Sequence, residues 1–216
     1  SRTVEEALLK SNIPYTMVGG TKFYSRKEIR DVISYLNLIA NTSDNISFER
    51  VVNEPKRGVG PGTVEKIRNF AAGQEMSLLD ASSQIMLSPV KGKAAQAVFD
   101  FANLILNLRE RLDELTVTEL VELVLERTGY TEQLVAQATL ESQARIENIE
   151  EFLSVTKNFD EDSENDIEET GLDRLSRFLN DLALIADTDD GDQESSEVTL
   201  MTLHAAKGLE FPVVFI

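Results

Sequence analysis

Near the end of the chain, polar residues lie between two short apolar runs. Val198–Leu203 and Val213–Ile216 are apolar and rich in β-branched residues, and between them lie the only histidine, His204, together with Lys207 and Glu210. Two buried strands around a short polar segment are typical of a parallel sheet that presents polar groups at a strand end, where ligands of α/β proteins bind. The alternative is a two-stranded hairpin whose polar residues are only solvated.

A second chemically suggestive segment is Pro55–Ile67, in which a Lys-Arg pair precedes the run Gly-Val-Gly-Pro-Gly-Thr. This pattern predicts a tight glycine hairpin between two helices, of the helix-hairpin-helix type. Glycines permit positive φ and close approach of the backbone to a ligand, and exposed N–H groups beside a helix N-terminus attract phosphate. The predicted DNA contacts are Lys56, Arg57, Gly58, Val59, Gly60, Thr63 and Lys66. Because no base edge is read, we expect binding that is insensitive to sequence. The alternative is a turn between two packed helices, which also requires glycine.

Composition limits the class of protein. The 216 residues contain no cysteine, so a disulfide framework is excluded and a reducing, cytoplasmic location is expected. No apolar run reaches membrane-spanning length and no signal peptide is visible. The net charge of −17 argues against a protein that coats DNA nonspecifically, so local basic patches would decide any DNA contact. Ser1 is not a native start and Val213–Ile216 breaks off in a strand pattern, which indicates a fragment of a larger protein.

The first part of the chain favours an α/β arrangement. Val4–Ser11 is predicted as a short amphipathic helix and Tyr15–Val18 as a strand. Ser25 is a plausible N-cap for a helix that continues to about Ala40, and Glu28 completes a capping-box spacing. Further along, Ser47 is expected to cap a short helix that ends near residue 53.

From Val64 to about Leu184 the pattern is helical almost throughout. Thr116 and Glu119 have the spacing of a capping box, and Gly129 is a natural stop. Each helix is apolar on one side only, so the helices must bury these sides against one another in a bundle. The expected core positions are Phe101, Leu104, Ile105, Leu108, Val117, Leu120, Val121, Val124, Leu125, Ile146, Ile149, Phe152, Leu153, Leu175, Phe178, Leu179, Leu182 and Ile185.

Two acidic segments and one charged helix face carry no predicted site. Asp160–Thr170 is expected to be a loop within the bundle and Asp187–Ser196 a linker, because both are acidic and poor in apolar residues. The carboxylates of Arg145–Glu151 alternate with other residues on a solvated face, where ion pairs between neighbouring turns are expected. No metal site is predicted there, since no histidine accompanies the carboxylates.

Three stretches carry a resemblance to a known family. Thr199–Phe211 is similar to motif V of the UvrD/Rep/PcrA group of superfamily 1 DNA helicases, and Gly19–Asp31 resembles motif IVa of that group. Ser1–Glu6 resembles the tail of motif IV, and the glycine hairpin matches a Gly-Val/Ile-Gly loop of the family. The resemblance implies that Thr202 and His204 face single-stranded DNA. It also implies that Lys207, Gly208 and Glu210 face the nucleotide.

The resemblance also implies an architecture. The fold expected is mainly α: a helical bundle, the 2B accessory subdomain, inserted into a fragment of an α/β RecA-like domain. Residues 1–40 and 191–216 would belong to the motor domain and residues 41–190 to the bundle. By resemblance, the bundle contacts duplex DNA through Gly58-Val59-Gly60 and swivels to regulate unwinding.

A phosphate-binding loop of the type Gly-x-x-x-x-Gly-Lys-[Ser/Thr] does not occur in this sequence. The resemblance implies a parent 3′–5′ helicase of DNA repair and replication that uses ATP and Mg²⁺, whereas this chain alone is expected to bind no cofactor and to hydrolyse no ATP. The expected partners are DNA with a single-strand/duplex junction and the rest of the helicase chain, and no membrane. The alternatives are a protein-interaction module that does not bind DNA and a subunit of a related recombination helicase-nuclease.

Overall fold

The structure is a computed structural model that describes residues 4, 7, 8, 10, 11, 13, 15–18, 23–163, 169–188, 198–201 and 213–215. Its elements in chain order are β1 (Tyr15–Val18), α1 (Lys27–Ala40), α2 (Asn45–Val51), α3 (Pro61–Gln74), α4 (Leu78–Ser83), α5 (Gly92–Glu110), α6 (Val117–Thr128), α7 (Tyr130–Gln137), α8 (Leu140–Ser163), α9 (Gly171–Thr188) and β2 (Val198–Met201), with short 3₁₀ turns at Phe23–Ser25, Ile85–Leu87 and Leu112–Glu114. The fold is mainly helical, as the sequence predicted.

The chain divides into two compact units, one made of Ser1–Arg26 with Asp181–Ile216 and the other of Lys27–Asn180. The domain boundaries expected near residues 40 and 190 stay predictions. In the first unit β1 and β2 pair in parallel, with Tyr15 opposite Val198 and Val18 opposite Met201.

The predicted strand at Val213–Ile216 is wrong over the residues that the structure describes. Val213, Val214 and Phe215 have no strand structure, and their exposed fractions are 69%, 63% and 94%. A strand requires a neighbouring strand to satisfy its N–H and C=O groups. Among the described residues, the only strand ladder joins β1 to β2, and residues 213–215 pair with neither strand. An apolar, β-branched composition alone does not form a strand.

The second unit is a helical bundle with one continuous apolar core. Phe48, Phe101 and Tyr35 meet at its centre, with ring centroids 5.6 Å apart for the two phenylalanines and 6.2 Å apart for Tyr35 and Phe101. A second aromatic group joins Phe152 and Phe178, whose ring centroids are 6.1 Å apart. Most of the predicted core positions are buried, whereas Leu104, Ile146, Leu153, Leu179 and Ile185 are half-buried.

Some helix ends are capped by residues close by in sequence, and the predictions for these caps are confirmed only in part. Thr116 and Glu119 form the predicted capping box, and Gly129 ends α6 with a φ of 71°. At α2, however, Asp44 is the N-cap and accepts from the Ser47 amide, so the predicted cap at Ser47 is wrong. Both residues are good caps, and the helix begins at the earlier one. The helix α1 begins at Lys27, slightly later than a cap at Ser25 implies.

Other helix ends are capped by residues far away in sequence. Asp160 accepts hydrogen bonds from the amides of Val117 and Thr118 at 3.0 and 2.9 Å, so a carboxylate of α8 satisfies the first turn of α6. At the C-terminal end of α1, Arg109 donates to the last carbonyls, including that of Ala40 at 2.6 Å. The expectation of a loop beginning at Asp160 is therefore wrong, because α8 continues through this residue to Ser163.

A buried carboxylate ties α1 to its neighbours. Asp31 has an exposed fraction of 1% and lies 2.8 Å from Lys27 Nζ, 2.8 Å from Arg50 Nη2 and 2.7 Å from the Tyr130 hydroxyl. Burial works to lower the pKa of Lys27, but its hydrogen bonds to Asp31 and Glu54 outweigh burial and raise that pKa. A buried charge needs such partners, since an unpaired one is strongly destabilising.

Candidate nucleic-acid interface

The predicted glycine hairpin joins α2 to α3 and lies at the surface. Gly58 has a φ of +82°, in the region that favours glycine, and Gly60 is the N-cap of α3. Gly58 and Gly62 are exposed, whereas Val59 has an exposed fraction of 1% and anchors the loop in the core. Gly58 and Gly62 are therefore exposed and Gly60 is half-buried, whereas Val59, between Gly58 and Gly60, is buried.

The backbone amides of this hairpin fall into two groups. The amides of Arg57 and Val59 donate to the Asn53 carboxamide oxygen, both at 3.0 Å. Among the residues that the structure describes, the amides of Gly58, Gly60 and Gly62 donate no hydrogen bond. A Cβ placed on any of these three glycines would meet no atom within 4 Å, so the space around them is open.

The start of α3 has an electropositive character. No side chain caps it, and its first residue is Pro61, which has no N–H to offer. The Gly60 carbonyl accepts from the amides of Thr63 and Val64 at 2.9 and 3.1 Å. Free amides thus lie in and just before the first turn of α3, near the positive end of its helix dipole, which is an arrangement that attracts anions.

The two predicted lysines are exposed, and neither has a hydrogen-bond or ion-pair partner among the described residues. Lys56 precedes the hairpin, and Lys66 lies in the second turn of α3. Arg68, two residues further on, is different: its guanidinium contacts the Glu49 carboxylate at 2.7 Å. Thr63 is half-buried in the first turn of α3, so it does not precede the helix as the sequence suggested.

Arg57 has an internal set of partners. Its Nη1 donates to the carbonyls of Val51 and Val52 at 3.1 and 3.0 Å, and its Nη2 donates to the Tyr35 hydroxyl at 2.8 Å. The guanidinium also lies 4.8 Å from the centre of the Phe101 ring. Arg57 therefore caps the C-terminal end of α2, whereas Lys56 beside it projects into solvent.

Two residues of this arrangement were not predicted. Asn53 holds two hairpin amides, and Tyr35 joins Arg57 to the Glu54 carbonyl, which accepts from the tyrosine hydroxyl at 2.6 Å. Burial raises the pKa of Tyr35 to about 12, with the Arg57 charge acting in the opposite direction. An Asn just before a turn is a sequence signal for bonding to nearby amides, whereas the contact with Tyr35 leaves no local signal. The peptide bond between Glu54 and Pro55 is cis.

Charge is distributed unequally along the chain, and the stretch that carries the hairpin is not acidic overall. Residues 27–100, which include the hairpin, hold nine basic and nine acidic residues, whereas residues 101–216 hold eight basic and 27 acidic residues. The negative charge therefore belongs almost wholly to the second half. A polyanion is repelled less by the part of the chain that carries the hairpin.

The segment that resembles motif IVa contributes fewer free cations than its sequence suggests. Lys27 is paired with Asp31 and, at 2.9 Å, with Glu54. The Arg26 guanidinium lies 5.4 Å from the centre of the Phe23 ring. Glu28 points into the bundle and accepts from Asn148 at 2.6 Å.

The predicted site residues near the end of the chain, Thr202, His204, Lys207, Gly208 and Glu210, lie outside the described residues. Their predicted roles are thus untested.

Comparison with known proteins agrees with the resemblance. The family described as UvrD-like helicase C-terminal domain matches residues 1–216. The chain is 51% identical over 222 residues to the ATP-dependent DNA helicase PcrA of Bacillus subtilis, 49% identical over 216 residues to that of Staphylococcus aureus, and 50% identical over 217 residues to that of Leuconostoc citreum. Each of these alignments covers 100% of this chain and 29% of the relative.

The chain belongs to the UvrD-like helicase C-terminal domain family. Within that family, the relatives named above are PcrA helicases, and the chain spans 29% of their length. Among the described residues, no helix combines the length and the apolar character needed to cross a membrane.

Proposed function

We propose that this chain is the accessory DNA-binding region of an ATP-dependent 3′–5′ DNA helicase that acts in DNA repair and replication in the cytoplasm. The observation that supports the proposal best is the exposed hairpin Gly58–Gly62, where three free amides lie at an uncapped helix start. Full-length relatives are named as ATP-dependent DNA helicases, which supports the assignment of the parent activity.

In this proposal the hairpin binds the phosphate backbone of the duplex near a junction with single-stranded DNA. The amides of Gly58, Gly60 and Gly62 donate to phosphate oxygens, and the ammonium groups of Lys56 and Lys66 neutralise phosphate charge. Contacts of this kind fix the position of a protein on DNA without reading its sequence. The acidic residues after position 100 repel DNA, whereas the stretch that carries the hairpin has no net charge.

The residues that follow β2 complete the proposal. Thr202 and His204 contact single-stranded DNA, and Lys207, Gly208 and Glu210 contact the nucleotide in the parent helicase, where ATP and Mg²⁺ bind. Swivelling of the bundle about its connections then regulates unwinding. This chain alone hydrolyses no ATP, because its sequence has no phosphate-binding loop.

A titration followed by fluorescence anisotropy tests the DNA contact. The probe is a labelled DNA hairpin with a single-stranded tail, and the variant is Lys56→Glu combined with Lys66→Glu. Each phosphate contact that is lost lowers the slope of log K against log salt by about 0.9. We therefore expect the double variant to bind more weakly and with a slope smaller by about 2.

The matched control is Lys157→Glu, which reverses the charge of an exposed lysine on α8. This control is expected to bind with an unchanged slope. Equal losses in Lys157→Glu and in the hairpin variant would contradict a contact localised at the hairpin, and binding that does not depend on salt would contradict a phosphate contact altogether.

A second candidate function is a protein-interaction module. It is supported by apolar side chains near the junction of α7 and α8, where Val135 and Leu140 have exposed fractions of 61% and 90%. In that case the tailed hairpin would not bind, and the Lys56 and Lys66 substitutions would have no effect.

A further inference from the structure

The side chains of Asn53 and Arg57 both form hydrogen bonds that fix the hairpin to the rest of the bundle. The Asn53 carboxamide oxygen accepts from two amides of the loop, those of Arg57 and Val59. Among the described residues, the amides of Gly58, Gly60 and Gly62 donate no hydrogen bond. The side chain of Asn53 is half-buried, and a Cβ placed on Gly58, Gly60 or Gly62 would meet no atom within 4 Å.

Arg57 fixes the same loop to the bundle. Its guanidinium contacts the carbonyls of Val51 and Val52, the hydroxyl of Tyr35 and the face of Phe101. If this side chain turned outward to a phosphate, the Val52 carbonyl would lose its donor, the Val51 carbonyl would keep only its bonds from the Glu54 amide and the Tyr35 hydroxyl, and the cation–π contact would be lost. An exposed phosphate contact offers less than these contacts combined, since solvent and salt screen it.

We infer that Asn53 and Arg57 are positioning residues, which hold the amides of Gly58, Gly60 and Gly62 in a phosphate-binding arrangement without touching DNA. The inference rests on the proposed DNA contact of the hairpin and assigns Arg57 a role different from the direct contact that its sequence position suggests. Tyr35 belongs to the same support, because its hydroxyl connects Arg57 to the Glu54 carbonyl.

The salt dependence of DNA binding distinguishes a positioning role from a direct contact. A residue that neutralises a phosphate changes the slope of log K against log salt by about 0.9, whereas a residue that only shapes the loop changes affinity and leaves the slope as it was. The variants are Arg57→Gln, Arg57→Lys and Asn53→Ala, titrated with the tailed DNA hairpin at several salt concentrations. Circular dichroism at the assay temperature establishes that each variant is folded.

We expect Arg57→Lys and Asn53→Ala each to weaken binding by about five- to tenfold, as the loss of one or two supporting hydrogen bonds implies, with the wild-type slope. Lysine keeps the charge but cannot form the fork that holds two carbonyls and a hydroxyl. The two substitutions act on one loop, so the combination is expected to cost less than the product of the single losses. Hydrogen exchange at the Val59 amide should accelerate in Asn53→Ala, which reports loop order without DNA.

Three results would overturn the inference. Near-wild-type binding by Arg57→Lys, with a slope smaller by about 0.9 in Arg57→Gln, would make Arg57 a direct phosphate contact. Wild-type affinity in folded Asn53→Ala would remove Asn53 from the site. If the wild-type chain shows no salt-dependent binding, the proposed DNA contact fails and this inference fails with it. If the wild-type chain binds and only the variants depart from expectation, the inference fails and the proposed DNA contact stands.

Discussion

The Tyr130 hydroxyl lies 2.7 Å from Oδ2 of Asp31, a residue 99 positions earlier in the chain. This hydrogen bond joins α7 to α1 inside the bundle. Burial raises the pKa of Tyr130, and the Asp31 charge beside it adds to that effect, so the phenol stays neutral and donates. Asp31 in turn is fixed by Lys27 and Arg50, so the four residues form one network.

The first prediction concerns this network. Tyr130→Phe removes one donor from a buried carboxylate and is expected to lower the free energy of unfolding by about 1 to 2 kcal/mol, measured by urea denaturation. Asp31→Asn is expected to cost about 3 kcal/mol or more, because it removes the anion that pairs with Arg50 and one of the two anions that pair with Lys27. The phenylalanine substitution should cost much less when Asn already occupies position 31. Additive losses would show that the two residues are not coupled.

The second prediction concerns alkaline pH. Burial raises the pKa of Tyr35 to about 12, with Arg57 acting against the rise, whereas an unfolded tyrosine titrates near pH 10. Above pH 10 the unfolded chain therefore loses a proton that the folded chain keeps, so this stabilisation is complete below pH 10 and is lost as the pH rises to 12.

Urea denaturation at a series of pH values between 9 and 12 measures this effect. Each such tyrosine contributes a slope of at most about 1.4 kcal/mol per pH unit. Tyr35→Phe is expected to make the decline in stability shallower, whatever its effect at neutral pH. A decline as steep as that of the wild type would show that Tyr35 titrates as it does in the unfolded chain.

The third prediction concerns Gly171. A Cβ at this position would lie 2.0 Å from the carbonyl oxygen of Leu112, which belongs to the backbone and has little freedom to move. Gly171→Ala is expected to destabilise the fold by about 2 kcal/mol or more through overpacking. The control is Gly73→Ala in α3, where a Cβ meets no atom within 4 Å and alanine should stabilise by about 0.5–1 kcal/mol. Equal melting temperatures for both variants would contradict this packing.

The fourth prediction concerns the hairpin glycines. Alanine at Gly60 or Gly62 meets no protein atom, and neither glycine has a positive φ, so both variants are expected to fold normally. The added methyl group nevertheless occupies the space through which a phosphate would approach the amides. We expect DNA affinity to fall by about tenfold, corresponding to one charge-assisted hydrogen bond. Gly73→Ala again serves as the control, and unchanged binding by the hairpin variants would contradict amide contacts.

The sequence predicted those features whose causes are local. Thr116, Glu119 and Gly129 are visible because a capping box and a helix stop depend on residues within a few positions of one another. The glycine hairpin is visible for the same reason.

Features that depend on distant partners were not predicted. Asp160 was assigned to a loop because its neighbours are acidic, yet its carboxylate caps a helix that begins 43 positions earlier. Arg57 was predicted to contact DNA because it stands, with Lys56, next to the turn. That prediction is untested, but nothing in the sequence indicated that its guanidinium bonds to the end of α2 and stacks on Phe101. In both cases the charged side chain bonds to backbone groups at a helix end that only the fold brings near.

The central claim, that the Gly58–Gly62 hairpin binds duplex DNA, is tested most directly by hydrogen–deuterium exchange with and without the tailed DNA hairpin. Peptides that contain Lys56–Lys66 are expected to exchange more slowly with DNA bound, because phosphate oxygens then accept from the free amides. A single strand of the same tail sequence, without duplex, should protect these peptides much less. Unchanged exchange across Lys56–Lys66 at saturating DNA, with protection only elsewhere in the chain, would contradict the account.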